Sequence, residues 1–199
     1  MNHVVSPCGK WLAYIQSNPQ TFYISDICLL SLKDGTSKKI TQSTGAYSTV
    51  SFSPNGESLL YIGHEREFQN ATFPSLWLYD LKEKKTVQLS EMLDMYVGNC
   101  MAGDSVIGEA NQLPQWTKDS QGFYALVSDQ GSTGIYYFSI EGLAYPVCLE
   151  AEHVTNFSLH PDESKMLISR LSPVSPSELY ELTLGNPHSS KSRLSMMTF

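Results

Sequence analysis

The chain has 199 residues, 41% of them hydrophobic and 11% aromatic, with 20 acidic against 13 basic side chains and a net charge of −7. That apolar content is enough to bury a core and excludes disorder by composition. The acid excess, with a pI near 5.1, argues against a nucleic-acid surface.

The first element is a phrase that returns along the chain. Ser6-Pro7-Cys8-Gly9-Lys10-Trp11-Leu12-Ala13-Tyr14-Ile15 reappears as Ser53-Pro54-Asn55-Gly56-Glu57-Ser58-Leu59-Leu60-Tyr61-Ile62. Weaker copies begin at Thr117 and His160, and the four starts are 47, 64 and 43 residues apart. A period of roughly 40 to 50 residues marks a propeller or a repeat array. In each copy the turn separates two apolar runs. Pro54 presets φ near −65°, and Asn55-Gly56 tolerates positive φ, as a two-residue reversal requires. The run after the turn, Leu59-Leu60-Tyr61-Ile62 or Phe123-Tyr124-Ala125-Leu126-Val127, is too apolar for a sheet with one wet face. It suits a strand covered on both sides.

A second phrase follows in every unit: Asp26-Ile27-Cys28-Leu29-Leu30, Leu76-Trp77-Leu78-Tyr79, Ile135-Tyr136-Tyr137-Phe138 and Leu179-Tyr180-Glu181-Leu182. Polar outer strands come next, the last of them with a poor signal near Arg193-Leu194. No window carries apolar residues at helical spacing for three turns. The pattern predicts an all-β fold, a β-propeller-type array of about four four-stranded antiparallel blades that make a partial propeller. A single domain over 1–199 is expected, with blades near 2–41, 47–90, 113–149 and 154–194 and an apolar insertion at 91–109. The insertion, with Met92, Leu93, Met95, Tyr96, Val97, Met101, Val106 and Ile107, reads as a cap on a blade.

No apolar run approaches the ~20 residues of a membrane span. Met1-Asn2-His3-Val4-Val5 is not a basic segment leading into an apolar one. A cytoplasmic protein with neither membrane nor nucleic-acid partners is therefore expected. Cys8, Cys28, Cys100 and Cys148 form no Cys-x-x-Cys pair and read as reduced thiols.

Catalytic chemistry is hard to find in the sequence. No Gly-x-Ser-x-Gly elbow occurs. Gly103-Asp104-Ser105 resembles the nucleophile block of GDSL-type esterases, which also place an Asp three residues before the catalytic His. Tyr61, Glu150, Phe157 and Gly185 stand there before His64, His153, His160 and His188, so a surface turn is the better reading. The five histidines lack metal-ligand spacing. No calcium or phosphate loop is present, and no cofactor is expected. The candidate contact residues are Glu65, Arg66 and Phe68, on the connection 64–74 inside the second blade. Mixed charge and aromatics on a loop suit a substrate or partner contact. The plainer alternative is a solvated connection with an Arg66–carboxylate pair of little worth.

The Ser-Pro-x-Gly turns, the segment Ser75-Leu76-Trp77-Leu78-Tyr79-Asp80-Leu81 and the run from Gln115 to Tyr124 resemble TolB-like propeller repeats. Gly63-His64-Glu65-Arg66-Glu67-Phe68, Asp129-Gln130-Gly131-Ser132-Thr133-Gly134-Ile135-Tyr136-Tyr137 and Pro176-Ser177-Glu178-Leu179-Tyr180 resemble the later propeller blades of bacterial acylaminoacyl-peptidases of the prolyl oligopeptidase family. The resemblance implies a propeller that covers an α/β-hydrolase domain bearing a Ser-His-Asp triad and admits short or blocked peptides. No position matches the family's catalytic residues, so the chain itself is expected to be non-catalytic. Its expected partners are the hydrolase domain or a peptide substrate, and a second copy meeting it through exposed blade faces, unless the four blades tighten into a ring. The rival expectation is a stand-alone module that binds a peptide or protein.

Overall fold

The computed structural model describes residues 3–91, 93–101, 113–149, 153–172, 174–185 and 193–196. It is all-β, of propeller type, and falls into two compact units, one built mainly from residues 1–94 and the other mainly from 95–199.

The first unit holds two antiparallel four-stranded blades. One runs β1 (His3–Val5), β2 (Trp11–Ser17), β3 (Ser25–Ser31) and β4 (Ser37–Lys39), each strand beside the next. The other repeats the order with β5 (Ala46–Phe52), β6 (Ser58–His64), β7 (Ser75–Asp80) and β8 (Lys85–Gln88). The register is set by the turns: Val5 pairs with Leu12 and Phe52 with Leu59. Between the blades lies one apolar cluster. Ala13, Ile27 and Leu29 of the first blade meet Tyr47, Val50, Phe52, Leu59, Tyr61 and Tyr79 of the second. In β6 the whole run from Leu59 to Gly63 is buried, as its unbroken apolar sequence predicts.

The second unit is one continuous sheet. Its third blade contains β9 (Tyr96–Val97), β10 (Gln115–Trp116), β11 (Gly122–Asp129), β12 (Ser132–Ser139) and β13 (Ala144–Cys148). The fourth contains β14 (His153–Leu159), β15 (Lys165–Ser172), β16 (Ser175–Thr183) and β17 (Arg193–Met196). A parallel bridge, Thr133 to His153, joins them. The Gln115 side chain adds a clasp, donating from Nε2 to the Phe157 carbonyl and accepting from the Leu159 amide at Oε1, both at 2.7 Å. Tyr124, Leu126, Ile135 and Tyr137 face Val154, Phe157, Met166, Ile168 and Leu182 across the core of this unit. Both β9 and β10 pair with β11. Tyr96–Val97, inside the segment read as an insertion, therefore forms part of the sheet.

The recurring turn places a left-handed residue at its fourth position in all four copies, with φ of 67° at Gly9, 71° at Gly56, 60° at Ser120 and 62° at Glu163. In three of them the amide of that residue donates to the carbonyl of the first: Gly9 to Ser6, Gly56 to Ser53 and Glu163 to His160, each at 2.8 Å. Asn55 does not share the positive φ that the two-residue reversal implied. Instead its side-chain oxygen accepts from the Ser53 hydroxyl at 2.6 Å and the Glu57 amide at 3.1 Å, so the turn spans four residues and needs one left-handed position. Ser53 Oγ also accepts from the Ser58 amide at 3.0 Å, closing the ladder. In the last copy His160 replaces the serine, and its ring lies 2.7 Å from Asp162.

Glycine is required at several strand positions, among them Gly63, Gly122 and Gly134. A β-carbon on Gly63 would fall on the Ala46 carbonyl and the Tyr47 ring, where β5 and β6 approach. The outer strands are polar or interrupted: β4 reads Ser-Lys-Lys and is exposed throughout, and β13 carries Pro146.

Candidate functional site

The candidate site lies in the first unit, at the end of the blades where β2 turns into β3 and β6 into β7. Ser25 opens β3 there. Its hydroxyl accepts from the Tyr47 amide at 2.7 Å and donates to the Tyr47 carbonyl at 3.1 Å, so the two blades are tied at this end. Next to it Asp26 is 5% exposed. Its carboxylate receives Lys39 Nζ at 2.7 Å, Thr41 Oγ1 at 2.8 Å, and the amide and hydroxyl of Ser43 at 2.9 and 3.0 Å. Burial pushes the Asp26 carboxyl upward, but the hydrogen bonds from Lys39, Thr41 and Ser43 outweigh it and hold the group below the usual carboxylate range. This cluster fixes the link from β4 to β5.

Two loops leave the strands at this end, 18–24 and 65–74. In the second the chain makes a 3₁₀ turn over Gln69–Ala71, with left-handed φ of 64° at Arg66 and 56° at Gln69. The turn is closed by Gln69 N to Arg66 O at 3.0 Å and by Phe68 N to Thr72 Oγ1 at 2.8 Å. The three sequence-predicted residues sit here in different surroundings. Glu65 is exposed, and its Oε1 accepts the Tyr47 hydroxyl at 3.2 Å. Phe68 is 71% exposed. Arg66 is half-buried. Its guanidinium donates to Gln69 Oε1 at 2.8 Å and Asn70 Oδ1 at 3.2 Å, and its carbon lies 4.5 Å from the centre of the Tyr23 ring. Among the described residues the ion pairs are Lys39–Asp26, His160–Asp162 and Lys165–Glu181, so the expected Arg66–carboxylate pair is not formed. The amides of Gln69 and Asn70 take its place because the 3₁₀ turn brings them under the guanidinium.

Phe22 and Tyr23 were missed in the sequence. Phe22 is 89% exposed and meets Tyr23 edge-on at 5.5 Å, so the β2–β3 loop brings aromatics to the same place as Arg66. The signal was present: both loops occupy the same step of the repeat, and both carry aromatics. His64, at the end of β6, is held below the usual imidazole range by burial and then by the nearby Arg66 charge.

In the second unit a polar cluster joins the β11–β12 turn to β14. His153 Nε2 lies 2.9 Å from Asn99 Oδ1, which also accepts from the Met101 amide at 3.0 Å. Ser128 Oγ donates to the Gly98 carbonyl at 2.9 Å and accepts from the Cys100 amide at 3.0 Å. This network uses its hydroxyls to hold backbone in place. Cys8 and Cys100 are exposed, while Cys28 and Cys148 are buried, and none of the four is in a disulfide. Among the described residues no group of three His, Cys, Asp or Glu side chains is placed to hold a metal. No helix there is long and apolar enough to cross a membrane. Gly103-Asp104-Ser105 lies outside the described residues.

No protein-family model matches the chain. Over 122 residues it is 53% identical to the uncharacterized peptidase YuxL of Bacillus subtilis, covering 61% of this chain and 19% of that protein. Over 188 residues it is 26% identical to dipeptidyl-peptidase 5 of Porphyromonas gingivalis, covering 91% of this chain and 25% of the relative. The chain thus spans about a fifth to a quarter of the length of these relatives. A puromycin-hydrolyzing peptidase of Mycobacterium tuberculosis matches 96% of the chain, which covers 28% of that structure, at TM-score 0.69 and 12% identity. TolB of Acinetobacter baumannii matches 100% of it, covering 43% of TolB, at TM-score 0.62 and 17% identity. At these identities the structural likeness speaks for the fold. The chain is a propeller-type array of antiparallel blades, shared in fold with TolB and related in sequence to peptidases.

Proposed function

We propose that this chain is the non-catalytic propeller segment of an acylaminoacyl-peptidase-like serine hydrolase of the prolyl oligopeptidase family. In this reading it docks on an α/β-hydrolase domain and limits access to short or blocked peptides. The observation that carries it is the 53% identity over 122 residues to a peptidase many times longer than the matched stretch. The chemistry agrees. Acyl transfer needs an activated nucleophile, a base held against it and donors for the oxyanion. Here His153 engages an amide and His160 a carboxylate, so the reading assigns bond breaking to another part of the polypeptide.

The test has two arms. The purified chain should leave a blocked-alanine chromogenic ester untouched. YuxL carrying this chain's residues in the matched stretch should cleave that ester and short peptides, with turnover falling steeply as the peptide lengthens. Turnover by the chain alone, or a folded chimera that digests long unfolded polypeptides as fast as short ones, overturns the reading.

A second reading, a stand-alone module that binds a peptide or protein, draws support from the exposed aromatics around Arg66. Light scattering then decides whether a second copy is the partner.

A further inference from the structure

Arg66 stands out because its guanidinium is held in place yet lacks an acidic partner. In a chain with 20 acidic residues and 13 basic ones, an arginine in a half-buried setting ordinarily finds a carboxylate. Arg66 instead stacks on Tyr23 and donates to two neutral amides, Gln69 and Asn70. The acid beside it in sequence, Glu65, accepts the Tyr47 hydroxyl. A guanidinium has five N–H donors in a planar fork, and two of the Arg66 nitrogens each make a hydrogen bond here. The donors left over suit a planar carboxylate, which an arginine grips through two parallel bonds. Its left-handed φ and the closed turn from Arg66 to Thr72 fix the loop beforehand, so little ordering remains for binding.

The surroundings add an apolar component. Phe22, Phe68, Phe73 and Tyr23, at 89, 71, 53 and 47% exposure, belong to the same two loops as Arg66. Thr21 Oγ1 and His64 Nδ1, on the same segments, are shut off from solvent without a hydrogen-bond partner. Aromatics beside an arginine are the composition of a recognition patch.

We propose that Arg66, with Tyr23, Phe22 and Phe68, forms a recognition site for a polypeptide segment in which a carboxylate side chain stands next to an aromatic or aliphatic one. The site binds rather than reacts, and it stands apart from the peptidase reading, because it can be tested on this chain by binding alone. The neighbouring exposed Glu67 opposes an acidic ligand and sets the limit of affinity.

The experiment measures fluorescence polarisation of two blocked, labelled peptides, one with Leu-Glu-Phe at its centre and one with Leu-Gln-Phe. The chain should bind the Glu peptide about tenfold more tightly, as expected for a charge-assisted pair. Arg66→Gln should erase that preference, and Phe68→Ala should weaken both peptides alike. Glu67→Gln should sharpen the preference and serves as the decisive variant if Arg66→Gln does not fold. Raising salt from about 0.05 to about 0.5 M should shrink the preference, since exposed charges are screened. Equal affinity for the two peptides, binding of neither, or a preference that survives Arg66→Gln or does not change in Glu67→Gln overturns the proposal.

Discussion

One hydroxyl, Ser25 Oγ, satisfies both backbone groups of Tyr47: it accepts from the amide at 2.7 Å and donates to the carbonyl at 3.1 Å. Both residues are buried, so neither Tyr47 group has water as a substitute. Ser25→Ala should therefore lower stability by about 2–3 kcal/mol, the penalty for stranding buried polar groups. Urea denaturation measures it. A loss below about 0.5 kcal/mol would show that the blades hold together without this clasp.

Asp26 governs the acid limb. Its carboxyl is pushed up by burial and pulled down further by Lys39, Thr41 and Ser43, so its folded value lies below the unfolded one. A depressed folded value contributes stability above the unfolded pKa of about 3.9 and loses it as pH falls through the folded value. Asp26→Asn should remove about 2 kcal/mol at neutral pH and flatten the stability profile below about pH 4. A variant with an unchanged acid profile would place the acid sensitivity elsewhere.

Tyr61 predicts the alkaline limb. Its phenol is pushed up to about 12, first by burial, while its hydrogen bond with Thr86 pulls the other way. A raised folded value gives stability that is intact below the unfolded pKa of about 10 and lost as pH rises toward the folded one. Ultraviolet titration should show Tyr61, and Tyr47 still more, ionising late, with their phenolate signal appearing together with base unfolding. In Tyr61→Phe the late component should shrink. A titration in which every tyrosine ionises near pH 10 would contradict the burial of these rings.

Backbone geometry gives two opposed substitutions. Gly63→Ala drives a methyl onto the Ala46 carbonyl and the Tyr47 ring and should destabilise by about 2–3 kcal/mol. Glu163→Gly relieves a left-handed residue at φ 62° and should stabilise by about 0.5–1 kcal/mol, since glycine adopts that region freely. Thermal melts of the pair should move in opposite directions. A Glu163→Gly variant that melts lower would mean that the glutamate side chain contributes more than the strain costs.

The repeat was legible because its turn chemistry is local. A serine, a proline and a left-handed fourth residue lie within four positions, so the motif can be read without knowing the fold. The unbroken apolar run of β6 likewise announced a buried strand. Ser25, Asp26 and Gln115 gave no such signal. Each earns its role by contacting a residue far along the chain, as Gln115 does with Phe157 and Leu159. At the candidate site the charged loop was visible from composition, but the approach of Tyr23 to Arg66 joins two blades and cannot be seen within either loop. The sheet pairing of Tyr96–Val97 was hidden because two residues carry no periodicity.

The exposed lysines of β4 and the proline within β13 have a consequence for how copies of this chain behave at high concentration. An unpaired strand edge is a template on which another chain can zip, and runaway zipping ends in fibrils. Lys39 is already paired with Asp26, so the charge of Lys38 is what repels its own image, while proline withholds an amide that an incoming strand would need. Edge-to-edge pairing is thereby disfavoured at these two strands.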